Sequence, residues 1–334
     1  MAEKIRIAIN GFGRIGRSVF RLAFDHPDFD IIAINDLADA KTLAHLLKYD
    51  SIHGVFDKEI YSENNTIFVD DKKILLTNTT DLADLDWREL DIDIVVEATG
   101  QYKIERELAQ HLSAGAKKVL LTVPSSDDSV KMIVLGVNDH LIEKDDRILS
   151  NASCTTNNAA PMLQVIHQHL GVKHAYISTV HSFTADQSLH DKPHRDLRRA
   201  RAATQSIIPT TTGAAKALTK IFPELSDVIG GCGIRVPVPN GSLTDMTLNI
   251  KTKTSIEEIN QLFKNASDNE LKGILKYTED PIVSVDIIGS PYSCTFDAGM
   301  TSVIDGDLIK LIGWYDNERG YSSRLIDLML KMNA

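Results

Sequence analysis

A chain of 334 residues is long enough for two domains and a large core, and its 43% hydrophobic and 25% charged residues are ordinary for a globular protein. A formal net charge of −10 argues against a nucleic-acid binder or a membrane-surface protein as the primary class, because both need a positive footprint. Three distant cysteines, Cys154, Cys232 and Cys294, leave neither a disulfide framework nor a pair at metal-ligand spacing, so the expectation is a reducing, cytoplasmic setting and no metal.

The chain runs directly into a β-branched segment, Lys4–Asn10, with no leader-like stretch, and no apolar run approaches the length of a membrane span. Gly11-Phe12-Gly13-Arg14-Ile15-Gly16 follows, and then Val19, Phe20, Leu22 and Ala23 at helical spacing. A G-x-G-x-x-G run between strand and helix is the dinucleotide fingerprint in its required context. Gly11 permits the tight turn, Gly13 lets a pyrophosphate approach the backbone, and Gly16 allows close helix–strand packing. A second strand, Ile31–Ile34, ends in Asn35-Asp36, which places a carboxylate 20 residues after Gly16, where it can accept hydrogen bonds from a ribose. The same charge would repel a 2′-phosphate, so NAD is expected rather than NADP.

A helix is expected over residues 39–47, and short antiparallel strands over 59–62, 66–70 and 73–76. Buried strands follow at 93–98, 118–122, 132–135 and 147–149, with a helix over 103–113. Alternating strands and helices predict a doubly wound, mainly parallel sheet with helices on both faces. Thr99, Gly100 and Thr122 stand at strand ends, where they either meet the cofactor or simply turn the chain.

The character of the sequence changes at Ser150–Asn158. Ser153 and its neighbours are helix-capping types, and the apolar run Ala159–Leu170 has helical spacing, so Cys154 belongs at a helix N-terminus. That position favours a thiolate, although an isolated cysteine is also compatible with a buried, inert thiol. A strand over 175–180 ends in His181, the best-placed partner for the thiol among 11 histidines, unless it is a structural imidazole. Residues 183–206 are a long polar stretch with Arg195, Arg198, Arg199 and Arg201, and Thr210–Gly213 opens a helix over 214–221. Arg235, set among apolar residues, needs an anion, structural or ligand. Further strands are expected over 246–250, 282–288, 296–300, 301–304 and 308–315, forming an antiparallel or mixed sheet, with helices over 256–266 and 322–332.

Several blocks together resemble phosphorylating glyceraldehyde-3-phosphate dehydrogenases. These are Ala8–Arg17, Leu47–Gly54, Ser150–Asn157, Asp196–Ala202, Ile207–Lys216, Arg235–Pro237 and Trp314–Glu318, and the similarity spans essentially the whole chain. The resemblance implies a Rossmann-type NAD-binding domain, residues 1–153 and 318–334, and a catalytic α+β domain, residues 154–317. It implies oxidation and phosphorylation of D-glyceraldehyde 3-phosphate to 1,3-bisphosphoglycerate, with Cys154 as nucleophile and His181 as its acid–base partner. By the same resemblance, Thr184, Arg199 and Arg235 hold the substrate phosphate, with Asp186 acting through the surrounding network. Ser153, Thr155, Thr212 and Gly213 hold inorganic phosphate. Gly11, Gly13, Arg14, Ile15, Asp36, Thr122 and Asn317 bind NAD, with Leu37 and Pro193 as the NAD-type pair. A homotetramer joined through residues 183–206 is also implied.

Some positions depart from the family pattern. Asn158 stands in place of a second cysteine, residues 78–81 offer no arginine for the adenine, Thr122-Val123-Pro124 replaces serine-alanine-proline, and Arg319 replaces tryptophan. Erythrose-4-phosphate dehydrogenase shares the cysteine and histidine but usually lacks the run at Thr210–Ala215. An NAD-binding redox or regulatory protein would be expected to have lost Cys154, His181 or Arg235, and all three are present.

Overall fold

The computed structural model describes residues 3–333; residues 1, 2 and 334, which the expected domain bounds include, lie outside the described residues. In chain order the first half contains β1 (Ile5–Asn10), α1 (Arg14–Ala23), β2 (Phe29–Asn35), α2 (Ala40–Lys48), β3 (Tyr49–Asp50), β4 (Gly54–Val55), β5 (Ile60–Glu63), β6 (Thr66–Val69), β7 (Lys72–Thr77), β8 (Ile94–Glu97), α3 (Glu105–Ser113), β9 (Lys118–Leu121), β10 (Lys131–Met132) and β11 (Ile148–Ser150). The second half contains α4 (Cys154–Leu170), β12 (Val172–Ser182), β13 (Ile208–Thr210), α5 (Ala214–Ile221), β14 (Ile229–Val236), β15 (Ser242–Ile250), α6 (Ile256–Asp268), β16 (Leu275–Thr278), β17 (Cys294–Asp297), β18 (Ser302–Ile304), β19 (Leu308–Tyr315) and α7 (Arg319–Asn333). These elements form two compact units, residues 3–133, 140–152 and 322–333 in one and 134–139 and 153–321 in the other.

The first unit is built on a nine-stranded sheet in the order β10-β11-β9-β8-β1-β2-β7-β6-β5. Every pairing from β10 to β7 is parallel, and β5 and β6 add antiparallel strands at one edge. The central strands are apolar on both faces, as a covered parallel sheet requires: Ile7, Ile9, Ile34, Val95, Val96 and Leu120 are fully buried. Each such side chain contributes about 1.5–3 kcal/mol relative to exposure. Strand order reverses around β1, so the ends of β1, β2 and β8 frame the crevice where such sheets bind ligands. The register puts Asn10 beside both Asn35 and Glu97 at those three ends.

The second unit carries a mixed sheet, β13-β14-β12-β15-β19-β17-β16, with β18 paired to β19. β12 and β14 are parallel, which sets His181 directly beside Arg235. Helix α4 starts at Cys154 because Ser153 caps it, its hydroxyl accepting from the Thr156 N–H at 3.1 Å. Ala152, immediately before the cap, holds φ +53, a left-handed conformation rare for a residue with a side chain.

Three expected strands differ. Residues 282–288 instead contain a 3₁₀ turn, Ser284–Ile287, because the Asp286 carboxylate accepts from the Val283 N–H at 2.8 Å and bends the backbone. Residues 298–300 form a second 3₁₀ turn after β17, and of residues 132–135 only Met132 is paired in a strand. Conversely, β16 and the β3–β4 pair occur where no strand was expected.

Candidate active site and cofactor cavity

A cavity of about 310 Å³ opens over the ends of the first unit's central strands, lined by residues including Gly11, Gly13, Asp36, Thr79, Thr99 and Tyr102. Gly11 adopts φ +90, and a Cβ on it would stand 2.7–2.9 Å from the backbone of Ala98 and Thr99, so no other residue fits this turn. A Cβ on Gly16 would stand 2.2 Å from the Gly11 carbonyl oxygen. Gly13 differs from both, because its missing side chain faces open space with nothing within 4 Å. It leads into helix α1, whose first-turn N–H groups, from Arg14 onward, suit a pyrophosphate.

Asp36 is held with one carboxylate oxygen accepting from Phe12 N at 2.7 Å and the other from Ala38 N at 3.0 Å. Both oxygens keep acceptor capacity for a pair of ribose hydroxyls. Asn78, in the segment 78–81 that offers no arginine, donates to the carbonyls of Asp36 and Ala38 at 2.7 and 2.9 Å and so braces the acidic turn. The residues present therefore fit a dinucleotide. Of the other positions expected here, the Arg14 guanidinium is drawn away by Asp50, at 2.5 and 3.1 Å. Ile15 and Thr122 lie outside the cavity lining, Thr122 donating its N–H to the Glu97 carbonyl at 3.1 Å.

In the second unit, Cys154 Sγ lies 3.4 Å from His181 Nε2. Arg235 Nη1 is 2.8 Å from His181 Nδ1 and 2.9 Å from the Ser182 carbonyl oxygen. His181 Nδ1 also lies 2.7 Å from the Ser182 carbonyl oxygen, which can only accept, so we assign the ring proton to Nδ1: Nδ1 and Arg235 donate to that one carbonyl, and Nε2 faces the sulfur as an acceptor. Burial, reinforced by the positive charge of Arg235, pushes the His181 pKa down to about 3. Burial raises the Cys154 thiol, while Arg235 and then Thr155 pull it back. Burial likewise lowers Arg235, with Arg199 adding to the same positive field.

Arg199 donates to the Asp186 carboxylate at 2.7 Å, the Thr210 hydroxyl at 3.0 Å and the Thr211 carbonyl at 3.2 Å. Burial works against ionisation of Asp186, but Arg199 and His194 hold its pKa below the usual value. Gly213 caps α5, and the Thr212 hydroxyl accepts from Ala214 N at 3.3 Å, leaving the helix start as an anion-type site. Thr184 is half-buried, and its backbone carbonyl accepts the Gln187 N–H at 2.9 Å.

Residues that sequence reasoning gave no role complete the site. The Tyr315 hydroxyl bridges the hydroxyls of Thr155 and Thr179 at 2.9 Å each, and its ring packs edge-on against His181 at 5.9 Å. A tyrosine ending an otherwise apolar strand was the available clue, since a buried hydroxyl needs partners. Ser182 and Ser242 donate to Asn317 Oδ1 at 2.8 and 2.9 Å, which fixes the amide with its NH₂ group free to donate. Asn158 is fully buried and donates to the Ser293 and Trp314 carbonyls at 3.4 and 3.3 Å, contacts a thiol could not make as well. Among the described residues no group of three or more His, Cys, Asp or Glu side chains could hold a metal ion.

Comparison with known proteins converges on one family. The model for the glyceraldehyde 3-phosphate dehydrogenase NAD binding domain matches residues 5–105, and that for the C-terminal domain matches residues 153–317. The chain is 50% identical to the glyceraldehyde-3-phosphate dehydrogenase of Geobacillus stearothermophilus over 325 residues, 97% of each chain. It is 51% identical to that of Borreliella burgdorferi over 335 aligned residues, 98% of this chain and 99% of the relative. It is 48% identical to glyceraldehyde-3-phosphate dehydrogenase 2 of Bacillus subtilis over 332 residues, 99% and 97% of the two chains. The chain therefore belongs to the glyceraldehyde-3-phosphate dehydrogenase family.

Proposed function

We propose that this protein converts D-glyceraldehyde 3-phosphate and inorganic phosphate to 1,3-bisphosphoglycerate with NAD. The observation that carries the reading is the Cys154–His181 contact of 3.4 Å with Arg235 directly behind the imidazole. His181 Nε2 accepts the Cys154 thiol proton as the sulfur attacks the aldehyde carbon, and passes that proton to the carbonyl oxygen as it becomes anionic, giving a thiohemiacetal. NAD held by Asp36, the Gly13 turn and Asn317 would supply the acceptor for the hydride on the former aldehyde carbon. His181 takes the hydroxyl proton as the C=O bond re-forms, leaving a thioester on Cys154. Phosphate oxygen then attacks the thioester carbon and the sulfur leaves, taking back the proton from His181 Nε2, which regenerates the Cys154 thiol and the neutral imidazole.

Arg235 and Arg199, with Thr184 and the Asp186 network, bind the substrate phosphate. Ser153, Thr155, Thr212 and Gly213 bind the attacking phosphate. Asn317 donates its free amide hydrogens to the nicotinamide carboxamide, and Asp36 accepts from the adenosine ribose. The division into an NAD-binding domain, residues 1–153 and 318–334, and a catalytic domain, residues 154–317, belongs to the same reading, as do a homotetramer and a cytoplasmic location. The net charge of −10 supports a small-molecule enzyme rather than a nucleic-acid binder, and no helix among the described residues is long and apolar enough to cross a membrane.

Purified protein should form NADH from glyceraldehyde 3-phosphate only with phosphate, or with arsenate in its place. Turnover without either anion, or a higher kcat/KM for erythrose 4-phosphate in a parallel assay, would overturn the proposal. Sedimentation of a species other than a tetramer would remove the assembly from it.

A further inference from the structure

Glu97, at the end of β8, is fully buried, and no lysine or arginine among the described residues pairs with it. Its charge is met by hydrogen bonds alone. One oxygen accepts from Thr99 N at 2.9 Å and from the Thr99 hydroxyl; the other accepts from Asn10 Nδ2 at 2.5 Å and His111 Nε2 at 3.1 Å.

The direction of every bond in this group is determined. Trp87 Nε1 can only donate and lies 3.0 Å from His111 Nδ1, so His111 presents its proton from Nε2 to Glu97. On the other side Thr79 N donates to Asn35 Oδ1 at 3.1 Å, Asn35 Nδ2 to Asn10 Oδ1 at 2.7 Å, and Asn10 Nδ2 to Glu97. Two donor chains thus converge on a group that must accept at all four places, which only a carboxylate does. The sheet register makes this possible by aligning Thr77, Asn35, Asn10 and Glu97 across four neighbouring strand ends.

The residues so tied are those that shape the cofactor cavity: Asn10, Asn35, Thr79 and Thr99 all line it. Thr99 also abuts the place where a Cβ on Gly11 would stand, so its position limits the Gly11 turn. We infer that Glu97 is a positioning residue for the dinucleotide, setting the cavity width by holding Thr99 against the Gly11 turn, with His111 and Trp87 fixing its acceptor geometry from behind.

The inference rests on the reading that the cavity takes NAD. Glu97→Gln keeps the volume but turns an NH₂ group towards at least one of four donors. Loss of one such charge-assisted bond should raise KM for NAD about tenfold with kcat changed less than about twofold. Trp87 does not line the cavity, so Trp87→Phe can act on NAD only through His111 and Glu97. It should raise KM for NAD about two- to threefold, again sparing kcat. A role confined to stability would lower the melting temperature and the active fraction but leave KM for NAD unchanged. Unchanged KM for NAD in both variants, or a fall in kcat that matches the fall in kcat/KM, would overturn the inference. If Glu97→Gln does not fold, Trp87→Phe alone decides. Wild-type protein that binds no NAD would refute the dehydrogenase reading instead, and is measured first.

Discussion

Replacing Gly13 by alanine should separate cofactor binding from folding. The residue has φ −72 and ψ −157, which alanine adopts without strain, and its added Cβ meets no atom within 4 Å. Folding should be unaffected or favoured by about 0.4–1 kcal/mol, because alanine narrows the unfolded ensemble. Gly13 lines the cavity at the start of α1, so the same methyl should keep a pyrophosphate from the first-turn N–H groups. Losing one or two charge-assisted hydrogen bonds there costs roughly 2–3 kcal/mol, or roughly 30- to 150-fold in Kd. Gly16→Ala is the contrasting control: its Cβ would lie 2.2 Å from the Gly11 carbonyl oxygen, so the helix must move off the strand at about 3 kcal/mol. Calorimetric titration with NAD and urea unfolding of both variants give the two quantities. The reasoning fails if Gly13→Ala binds NAD as tightly as wild type, or if it is Gly13→Ala that unfolds early.

Cys154→Ser should reduce turnover by at least about a thousandfold, because the hydroxyl ionises far less readily than the thiol, while the NAD dissociation constant stays within about twofold. Steady-state rates and NAD titration of the same preparation check both halves. His181→Gln should remove part of the acid sensitivity of folding. The unfolded imidazole binds a proton near 6.5 and the buried one only near about 3, so between those values the unfolded state holds more protons and stability falls as pH falls. Between about pH 7 and about pH 5 this amounts to about 2 kcal/mol, which urea unfolding at the two pH values should find in wild type and miss in the variant. Asp36→Asn sets an amide NH₂ against the Phe12 or Ala38 N–H and lifts the negative charge. NAD affinity should fall about tenfold and the ratio of kcat/KM for NADP over NAD should rise; an unchanged ratio would refute the electrostatic account of cofactor choice.

The first unit was largely legible because its signals are local. The β-branched run before Gly11, the glycine spacing and the acid after β2 each report on a few consecutive residues, and in the second unit α5 and β19, whose patterns are equally local, have the bounds those patterns predict. Where local and tertiary demands conflict, the pattern misleads. Residues 282–288 alternate like a strand, yet Val283 and Val285 are exposed and Asp286 turns the chain. β16 carries Lys276 and Tyr277 between two buried residues and is a strand only because β17 lies parallel to it.

The chemistry of both sites depends on contacts that no window of sequence contains. His181 and Arg235 are 54 residues apart and adjacent only through the parallel β12–β14 register. A slip of one residue there would turn Arg235 to the other face and leave His181 without the charge behind it. Glu97 is read from the sequence as the end of an apolar strand, and its meaning comes from Asn10, 87 residues away, and His111, 14 away. A buried carboxylate without partners would cost several kcal/mol, so its presence inside a parallel sheet already demands donors, but not which ones. What sheet pairing adds is arrangement: it orders those donors into two chains ending on one acceptor, and at Cys154 it sets Arg235 beside the imidazole whose Nε2 faces the sulfur. In both units the parallel register, rather than the motif, decides which side chains meet.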